Sequence, residues 1–308
     1  NFISSYRMAS LLGAKIYLVD VDENTGQITP QNILKCIKIN KIKKIKILVT
    51  MYLGGYVENN TELFSLKKRF KFSIVEDACH AIGAKYKFKN KNYFIGSCKH
   101  SDICVFSFHP VKTITTGEGG AVLTNNKQVA ATMKLQRSHG ILRNKRKYWD
   151  YNIKNFGFNY RLSDINCALG FSQLKKIDKF FVKRKKIFDL YKKNFSKFTN
   201  YIYLPKTNNL NNLYHLFLIG IDFKKLKTNK NNFIKFLVKR YIYVQFHYKP
   251  IFKFSFYKNN QSKDFPGTKK YYDRYVSLPI YSDLSLKEQK FVIKTIIEFL
   301  RLNIRKKL

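Results

Sequence analysis

Apolar and polar positions alternate in blocks along the first half of the chain. Short apolar runs of strand length occupy residues 16–19, 45–49, 72–75 and 103–106. Between these runs lie stretches with the 3.6-residue spacing of helices, one beginning at Pro30 and another near residues 61–70. Because strands that alternate with helices form parallel pairs, the pattern predicts a mostly parallel sheet between helices.

Helical spacing dominates the middle of the chain. Ile165, Leu169 and Leu174 recur at helical intervals after Ser163, whose hydroxyl is suited to cap a helix N-terminus. We therefore expect long helices to lead out of a first, large domain, which we place at residues 1–180.

Shorter elements follow in the last part of the chain. Residues 216–219 have the composition of a buried strand, and residues 285–302 have helical spacing with Ser285 as the predicted N-cap. This alternation predicts a smaller C-terminal α/β domain over residues 181–308. The expected fold class is therefore α/β, with a large and a small domain.

Lysine and arginine greatly outnumber the acidic residues. The 308 residues include 59 Lys and Arg against 19 Asp and Glu, which gives a formal net charge of +40. Such a charge is typical of proteins that bind nucleic acid. The basic residues are scattered, however, as in the run at 183–186, which has the pattern of a solvated helix face, and no nucleic-acid-binding motif accompanies them. We therefore expect no nucleic acid partner, and the lack of a long apolar run predicts no membrane partner.

The five cysteines indicate where the protein works. An odd number without a C-x-x-C pair argues against a disulfide framework and predicts a reducing, cytoplasmic location. Cys98, His100 and Cys104 are close in sequence but lack a fourth ligand at a standard spacing. We expect no metal site.

Lys112 is the first candidate for chemistry. It lies in a polar, glycine-containing loop over residues 107–120, between the apolar runs 103–106 and 121–123. Ligands of open α/β sheets bind where strands end, so this loop is in the right place for a site. A lysine amine held there is suited to forming a Schiff base.

Two further polar residues follow the apolar run at 72–75. Asp77 and His80 come just after it, so a buried parallel strand is expected to deliver a carboxylate and an imidazole to the edge that holds Lys112. A pyridoxal phosphate site needs a lysine for covalent attachment, a carboxylate for the pyridinium nitrogen and hydrogen-bonding groups for the phenolate and phosphate. The three residues together therefore predict this cofactor.

The sequence around these residues resembles one enzyme family. The motifs at 76–83 and 107–120, together with residues 137–140 and 157–164, are similar to those of the sugar-nucleotide aminotransferases, which are fold type I pyridoxal phosphate enzymes. The resemblance runs nearly end to end. It implies a fold type I aminotransferase fold, a homodimer with shared active sites and an enzyme that aminates a keto sugar nucleotide.

Local motifs favour one subgroup of that family. Residues 137–141, 159–164, 173–176 and 244–251 resemble the subgroup that acts in pseudaminic acid biosynthesis. The resemblance implies glutamate as amino donor and a UDP-linked 4-keto-6-deoxy-N-acetylhexosamine, aminated at C4, as acceptor. Other 4-keto nucleotide sugars, of the aminoarabinose or perosamine type, stay open because those enzymes share the lysine and aspartate motifs. A 3-dehydratase of the same family is disfavoured, since it carries histidine in place of Lys112.

The resemblance also implies roles for individual residues. Lys112 would hold the cofactor covalently and carry protons, and Asp77 would bind the pyridine nitrogen. The other implied cofactor contacts are His80 beside the phenolate, Ser107 at the phosphate, Phe2 stacked on the ring and Asn159 donated by the partner subunit. The candidates for sugar-nucleotide binding are Gln245, His247 and Tyr248.

The start of the chain bears on its activity. Asn1 rather than methionine comes first, and the opening residues already have the pattern of a helix that ends at Gly13. We expect the chain to be a fragment, because the resemblance implies a preceding segment with the loop that cradles the cofactor phosphate. An inactive remnant that only dimerises or binds acidic partners is therefore an alternative.

Overall fold

The computed structural model describes residues 1–58, 60–147, 149–205, 213–257 and 265–305. Its helices are α1 (Ile3–Leu11), α2 (Pro30–Ile39), α3 (Asn60–Phe70), α4 (Lys127–Gln136), α5 (Asp164–Leu174), α6 (Ile177–Phe195), α7 (Lys230–Val238), α8 (Pro266–Arg274) and α9 (Leu286–Arg305). Its strands are β1 (Ile47–Met51), β2 (Ser73–Asp77), β3 (Lys85–Phe88), β4 (Lys91–Phe94), β5 (Ile103–Ser107), β6 (Gly120–Leu123), β7 (Ile141–Arg143), β8 (Tyr151–Ile153), β9 (Ile202–Tyr203), β10 (Phe217–Ile221) and β11 (Tyr275–Leu278).

The central sheet has the strand order β1, β2, β5, β6. β1, β2 and β5 are parallel, and β6 pairs antiparallel with β5 at one edge. The register places Met51 beside Asp77, and Asp77 beside Val105. The carboxyl ends of the three parallel strands therefore meet at one edge of the sheet, and the predicted mostly parallel sheet is confirmed.

The central strands form where the sequence has short, continuous apolar runs. Ile74 in β2 and Cys104 in β5 have no exposed surface. Ile33 of α2 and Leu63 of α3 belong to the same core cluster. Helices α2 and α3 therefore help to bury this sheet, whereas Ile47 and Val49 of β1 stay exposed in the described chain.

The strand predicted at residues 16–19 is wrong. This segment has no strand pairing, and the nearest bridge joins Val21 to Ile28. Val19 packs against the core around the central sheet, so the apolar character of the segment reflects burial. A strand also needs a neighbouring backbone to pair with, and a local apolar run does not report whether one is there.

The C-terminal part of the chain holds a second, antiparallel sheet in the order β11, β10, β9. Phe217 of β10 is fully buried in one cluster with Phe188 of α6 and Phe299 of α9. Met51 of β1 belongs to that cluster too, and the predicted domain boundary at residue 180 falls within α6. The division into domains at this residue stays a prediction.

Two predicted helix caps are confirmed. At the start of α5, Ser163 Oγ accepts the backbone N–H of Asn166 at 3.3 Å. At the start of α9, Ser285 Oγ accepts the N–H of Glu288 at 3.2 Å, and Glu288 Oε2 accepts the N–H of Ser285 at 2.9 Å. These side chains satisfy backbone groups that no carbonyl within the helix can reach.

The helical spacing predicted after Ser163 is realised as two helices, α5 and α6. No residue of α5 is buried, and Ile165 is 84% exposed. Its apolar spacing would ordinarily predict a face against a core.

Among the helices of the described residues, none combines the length and the apolar character that crossing a membrane requires.

Candidate active site

Lys112 lies in the loop that joins β5 to β6, beyond the carboxyl end of β5. Its backbone N–H donates to the carbonyl of His109 at 2.9 Å. Burial lowers the pKa of the Lys112 amine, and the nearby Cys79 and Asp77 partly offset that effect. The amine therefore loses its proton at a lower pH than an ordinary lysine, which suits a nucleophile.

Asp77 is the last residue of β2 and is only 8% exposed. Its Oδ1 accepts the backbone N–H of Cys79 at 3.2 Å, and its Oδ2 accepts the hydroxyl of Ser5 at a long 3.5 Å. Within the described ranges this carboxylate forms no salt bridge. A buried carboxylate without a paired cation is suited to a protonated ring nitrogen.

His80 follows β2 and is 2% exposed. The backbone N–H of Gly54 donates to its Nδ1 at 3.2 Å. Because Nδ1 accepts, the proton of the neutral ring is on Nε2, which lies 3.0 Å from the hydroxyl of Tyr248 and donates to it. Burial lowers the pKa of His80 well below its ordinary value, and the neighbouring His215 and Lys112 lower it further. His80 is therefore a neutral imidazole with a fixed tautomer.

The predicted substrate residues come from the segment between α7 and α8. Tyr248 reaches His80, and His247 Nδ1 is 3.0 Å from the hydroxyl of Ser277. Burial, aided by Lys112, lowers the pKa of His247 to about 4, and burial raises that of Tyr248 above its ordinary value. Gln245 has an exposed side chain and pairs through its backbone with Ser277. The structure thus brings His247 and Tyr248 to the site and leaves the Gln245 side chain at the surface.

Of the remaining predicted contacts, Phe2 and Ser107 adjoin residues of the site, and Asn159 lies elsewhere on the surface. The ring of Phe2 meets that of Tyr248 edge-on, with the centroids 5.7 Å apart. Ser107 ends β5, and its hydroxyl accepts the N–H of His109 at 3.3 Å. Asn159 is exposed and forms a bridge with Ser138. Donation of Asn159 to the active site of a partner subunit stays a prediction.

A tight turn at Gly54 and Gly55 supports His80. Both glycines have positive φ, at 72° and 87°. A Cβ on Gly55 would lie 2.7 Å from the carbonyl oxygen of His80. Only glycine allows the turn to come this close to His80.

His215 is a site residue that the sequence reasoning missed. It is 4% exposed, and its ring centroid is 4.3 Å from that of His80. Its Nδ1 is 3.3 Å from the hydroxyl of Thr113, the residue after Lys112. A single histidine in an apolar stretch carries no local signal of function, since its partner Thr113 lies 102 positions away in the sequence.

Metal-ligating geometry does not occur in the part of the chain that the structure describes. His100, once a candidate with Cys98 and Cys104, bonds through Nδ1 to the hydroxyl of Tyr86 at 2.8 Å and stacks on Phe64. The five thiols are unpaired. Packing therefore accounts for the Cys98, His100 and Cys104 cluster.

Comparison with known proteins decides the family. The profile of the DegT/DnrJ/EryC1/StrS aminotransferase family matches residues 1–297. The chain belongs to this family. As a DegT/DnrJ/EryC1/StrS aminotransferase it is a pyridoxal phosphate enzyme of the sugar-aminotransferase class, and the family resemblance of its motifs is confirmed.

Individual relatives agree with this assignment. A protein of Campylobacter jejuni subsp. jejuni serotype O:23/36 (strain 81-176), named UDP-4-amino-4,6-dideoxy-N-acetyl-beta-L-altrosamine transaminase, is 36% identical over 301 residues, which cover 97% of this chain and 77% of the relative. The structure of Helicobacter pylori PseC, an aminotransferase involved in pseudaminic acid biosynthesis, is 28% identical with a TM-score of 0.85, covering 98% of this chain and 78% of that one. A putative sugar aminotransferase from Streptococcus pneumoniae in its apo-form is 25% identical, with a TM-score of 0.88 over 100% of this chain and 80% of that one. These likenesses confirm the predicted fold type I aminotransferase fold.

Proposed function

We propose that this DegT/DnrJ/EryC1/StrS aminotransferase transfers an amino group from glutamate to C4 of a UDP-linked 4-keto-6-deoxy-N-acetylhexosamine, with Lys112 as the covalent attachment point of the cofactor. The main support for the proposal is the convergence of Lys112 and Asp77 at one sheet edge, where the Asp77 carboxylate partly offsets the lowering of the Lys112 pKa by burial. A half-buried lysine with a lowered pKa beside a buried carboxylate supports this chemistry.

The residues present fit pyridoxal phosphate. Asp77 offers the pyridinium nitrogen a buried carboxylate that forms no salt bridge within the described residues. In this proposal Ser107 gives a hydroxyl to the phosphate, and Phe2, which meets Tyr248 edge-on, gives an aromatic ring to the cofactor. When bound, this cofactor supplies an aldehyde that bonds to an amine and a ring that accepts electrons from an adjacent carbon. Asp77 supports the second property because its negative charge keeps the ring nitrogen protonated.

Proton transfer falls to the side chains around Lys112. The lowered pKa of Lys112 lets its Nζ release a proton more readily than an ordinary lysine does, which suits it to give and take a proton at the reacting carbon. Tyr248 stays protonated, because burial raises its pKa, and His80 and His247 stay neutral, because burial lowers theirs. These three groups offer hydrogen bonds to substrate and cofactor without adding a positive charge beside Lys112.

The sugar nucleotide is proposed from sequence likeness and from the position of two side chains. Residues 137–141 and 244–251 resemble the pseudaminic acid subgroup, and the Campylobacter jejuni relative is named for an altrosamine transaminase reaction. His247 and Tyr248, within 244–251, lie against His80. This segment is therefore suited to contact the sugar next to the reacting centre.

Substrate preference tests the proposal. With glutamate as donor, the full-length enzyme is expected to aminate the UDP-4-keto-6-deoxy-N-acetyl-L-hexosamine with a kcat/KM at least about 10-fold above that for UDP-4-ketopentose or GDP-4-keto-6-deoxymannose. Product formation is followed by chromatography of the nucleotide sugars, with Lys112→Ala as the inactive control. A preference for either competitor would assign the enzyme to the aminoarabinose or perosamine type, and no amination of any of the three would contradict the proposed function.

We also propose a homodimer, because α5 exposes apolar side chains in the described part of the chain. Ile165, Leu169, Phe171 and Leu174 of α5 are all exposed. Asn166 of the same helix donates to the backbone carbonyl of Thr116 in the loop that carries Lys112. An apolar surface beside the active-site loop is suited to a second copy of the chain, which could then donate its Asn159.

Charge on α5 is expected to break this dimer. Ile165→Glu places a carboxylate in the proposed interface and should raise the dissociation constant on the order of 100-fold, or by about 3 kcal/mol. Sedimentation velocity over a range of protein concentrations measures the change. Leu302→Glu, at an exposed apolar residue of α9, is the matched control and should leave association unaffected. Equal association of both variants and the unmodified protein would argue against α5 as the interface.

A cytoplasmic location completes the proposal. All five cysteines are unpaired, and two of them, Cys98 and Cys104, are buried. Buried free thiols are typical of proteins that fold in a reducing compartment.

A further inference from the structure

His215 joins two parts of the active site that are far apart in sequence. Its ring lies 4.3 Å from that of His80, centroid to centroid, with 36° between the planes. On its other side, Nδ1 is within 3.3 Å of Thr113 Oγ1. The His215 imidazole therefore contacts both His80, which supports Tyr248, and Thr113, which follows Lys112.

The backbone around His215 is itself fixed. Arg184 of α6 is buried, although its lysine-rich surroundings predicted a solvated helix face, and that expectation is wrong for this residue. Its Nη1 donates to the carbonyls of His215 at 3.2 Å and Ile280 at 3.0 Å. The N–H of Leu216 donates to the carbonyl of Gly54 at 3.2 Å, and Gly54 also supports His80. Burial lowers the pKa of Arg184 to about 10, so the guanidinium keeps its charge at neutral pH.

The electrostatic surroundings keep the His215 ring neutral. Burial lowers its pKa well below the ordinary value, and the positive charges of Arg184 and Lys112, together with His247, act in the same direction. A neutral ring can pack against His80 without repelling it. It can also share a hydrogen bond with Thr113 while leaving the charge state of Lys112 unaffected.

We propose that His215 is a positioning residue for the covalent attachment step. Its bond to Thr113 holds the loop that carries Lys112, and its ring holds His80 in place. The proposal rests on the proposed role of Lys112. Thr113 is adjacent to Lys112 in the chain, so a rotation of the loop that breaks the Thr113 bond also moves the Lys112 amine. A displacement of about 1 Å at a reacting group can cost up to about 100-fold in rate.

Four substitutions separate the two contacts of His215. His215→Phe keeps an aromatic ring against His80 and removes the bond to Thr113, whereas His215→Asn keeps a polar group and removes the ring. Thr113→Val removes the hydroxyl with little change in shape, and Thr113→Ser retains it. The thermal midpoint of each apoenzyme reports whether the fold survives the substitution.

The rate of covalent cofactor attachment is the measurement. Full-length apoenzyme is mixed with pyridoxal phosphate in a stopped-flow spectrometer, and the absorbance change is followed. In this condensation Lys112 Nζ forms a C=N bond with the aldehyde carbon, and the aldehyde oxygen leaves as water with the two amine protons. We expect His215→Phe and Thr113→Val to slow the step about 10-fold each, with thermal midpoints close to that of the unmodified protein. Thr113→Ser should restore the rate.

Coupling between the two residues completes the test. Because both single substitutions remove the same bond, the His215→Phe/Thr113→Val double variant should be no slower than either single variant within about 2-fold. Unchanged rates in the single variants, multiplied losses in the double variant, or losses that follow the thermal midpoints would overturn the positioning role. Lys112→Ala distinguishes failure of the positioning role from failure of the proposed function. If the absorbance change persists in Lys112→Ala, both are overturned. If Lys112→Ala loses the absorbance change but His215→Phe reacts at the unmodified rate, only the positioning role is overturned.

Discussion

Replacement of Lys112 by alanine is expected to abolish the covalent attachment of pyridoxal phosphate and to reduce kcat/KM on the order of 10⁴-fold or more. Lys112 is the amine at the carboxyl edge of the central sheet whose pKa is lowered by burial and which interacts with Asp77. The substitution removes both the attachment point and the proton carrier. Because one residue carries both functions, we expect Lys112→Ala to reduce activity more than any other single substitution in the site.

Two variants control for indirect effects of the Lys112 substitution. Lys112→Arg keeps the positive charge but replaces an amine that can release its proton with a guanidinium that cannot, so it should be as inactive as Lys112→Ala. Lys127→Ala, at an exposed lysine at the start of α4, should keep full activity. Activity within 10-fold of the unmodified enzyme in Lys112→Arg would contradict the proton-carrying role.

Substitution of Asp77 by asparagine should reduce kcat about 10²–10³-fold. Asparagine can still accept the N–H of Cys79 through its Oδ1, so the geometry at the end of β2 is preserved. The negative charge is lost, and with it a charge-assisted hydrogen bond worth about 1.5–3 kcal/mol. The ring nitrogen then loses its proton more readily, and the ring accepts electrons less well.

Asp102 provides the matched control for Asp77. It lies just before β5, at the opposite edge of the same sheet, where it pairs with Lys67 at 2.7 Å and accepts the N–H of Ile74. Asp102→Asn is expected to change thermal stability slightly and kcat by less than about 3-fold. Steady-state kinetics of the two variants compare the edges directly, and equal kcat values for Asp77→Asn and Asp102→Asn would contradict the assignment of Asp77.

The central features of the site are local in sequence and could be predicted. Asp77 directly ends an apolar strand, and Lys112 lies between two apolar runs, so the alternation of elements alone brings them to one edge. Ser163 and Ser285 cap helices for the same local reason, because a cap depends on residues within one turn.

The features that could not be predicted depend on packing between distant segments. Arg184 lies among lysines in sequence, and its burial is offset by hydrogen bonds to the distant carbonyls of Tyr214, His215 and Ile280. His215 gains its meaning from Thr113 and His80, which are more than 100 residues away. Ile165 shows the opposite case, since its helical spacing predicts a buried face, yet its side chain is 84% exposed among the described residues.

Mapping the lysine that carries the cofactor is the most direct test of the proposed role of Lys112. The full-length enzyme is loaded with pyridoxal phosphate, reduced with borohydride to make the bond permanent, digested, and analysed by peptide mass spectrometry. Because lysines occur throughout the chain, adventitious modification has many alternative targets, so the location of the adduct is informative. We expect a stoichiometric pyridoxyl adduct on Lys112. An adduct on another lysine, or modification spread over many lysines, would contradict it.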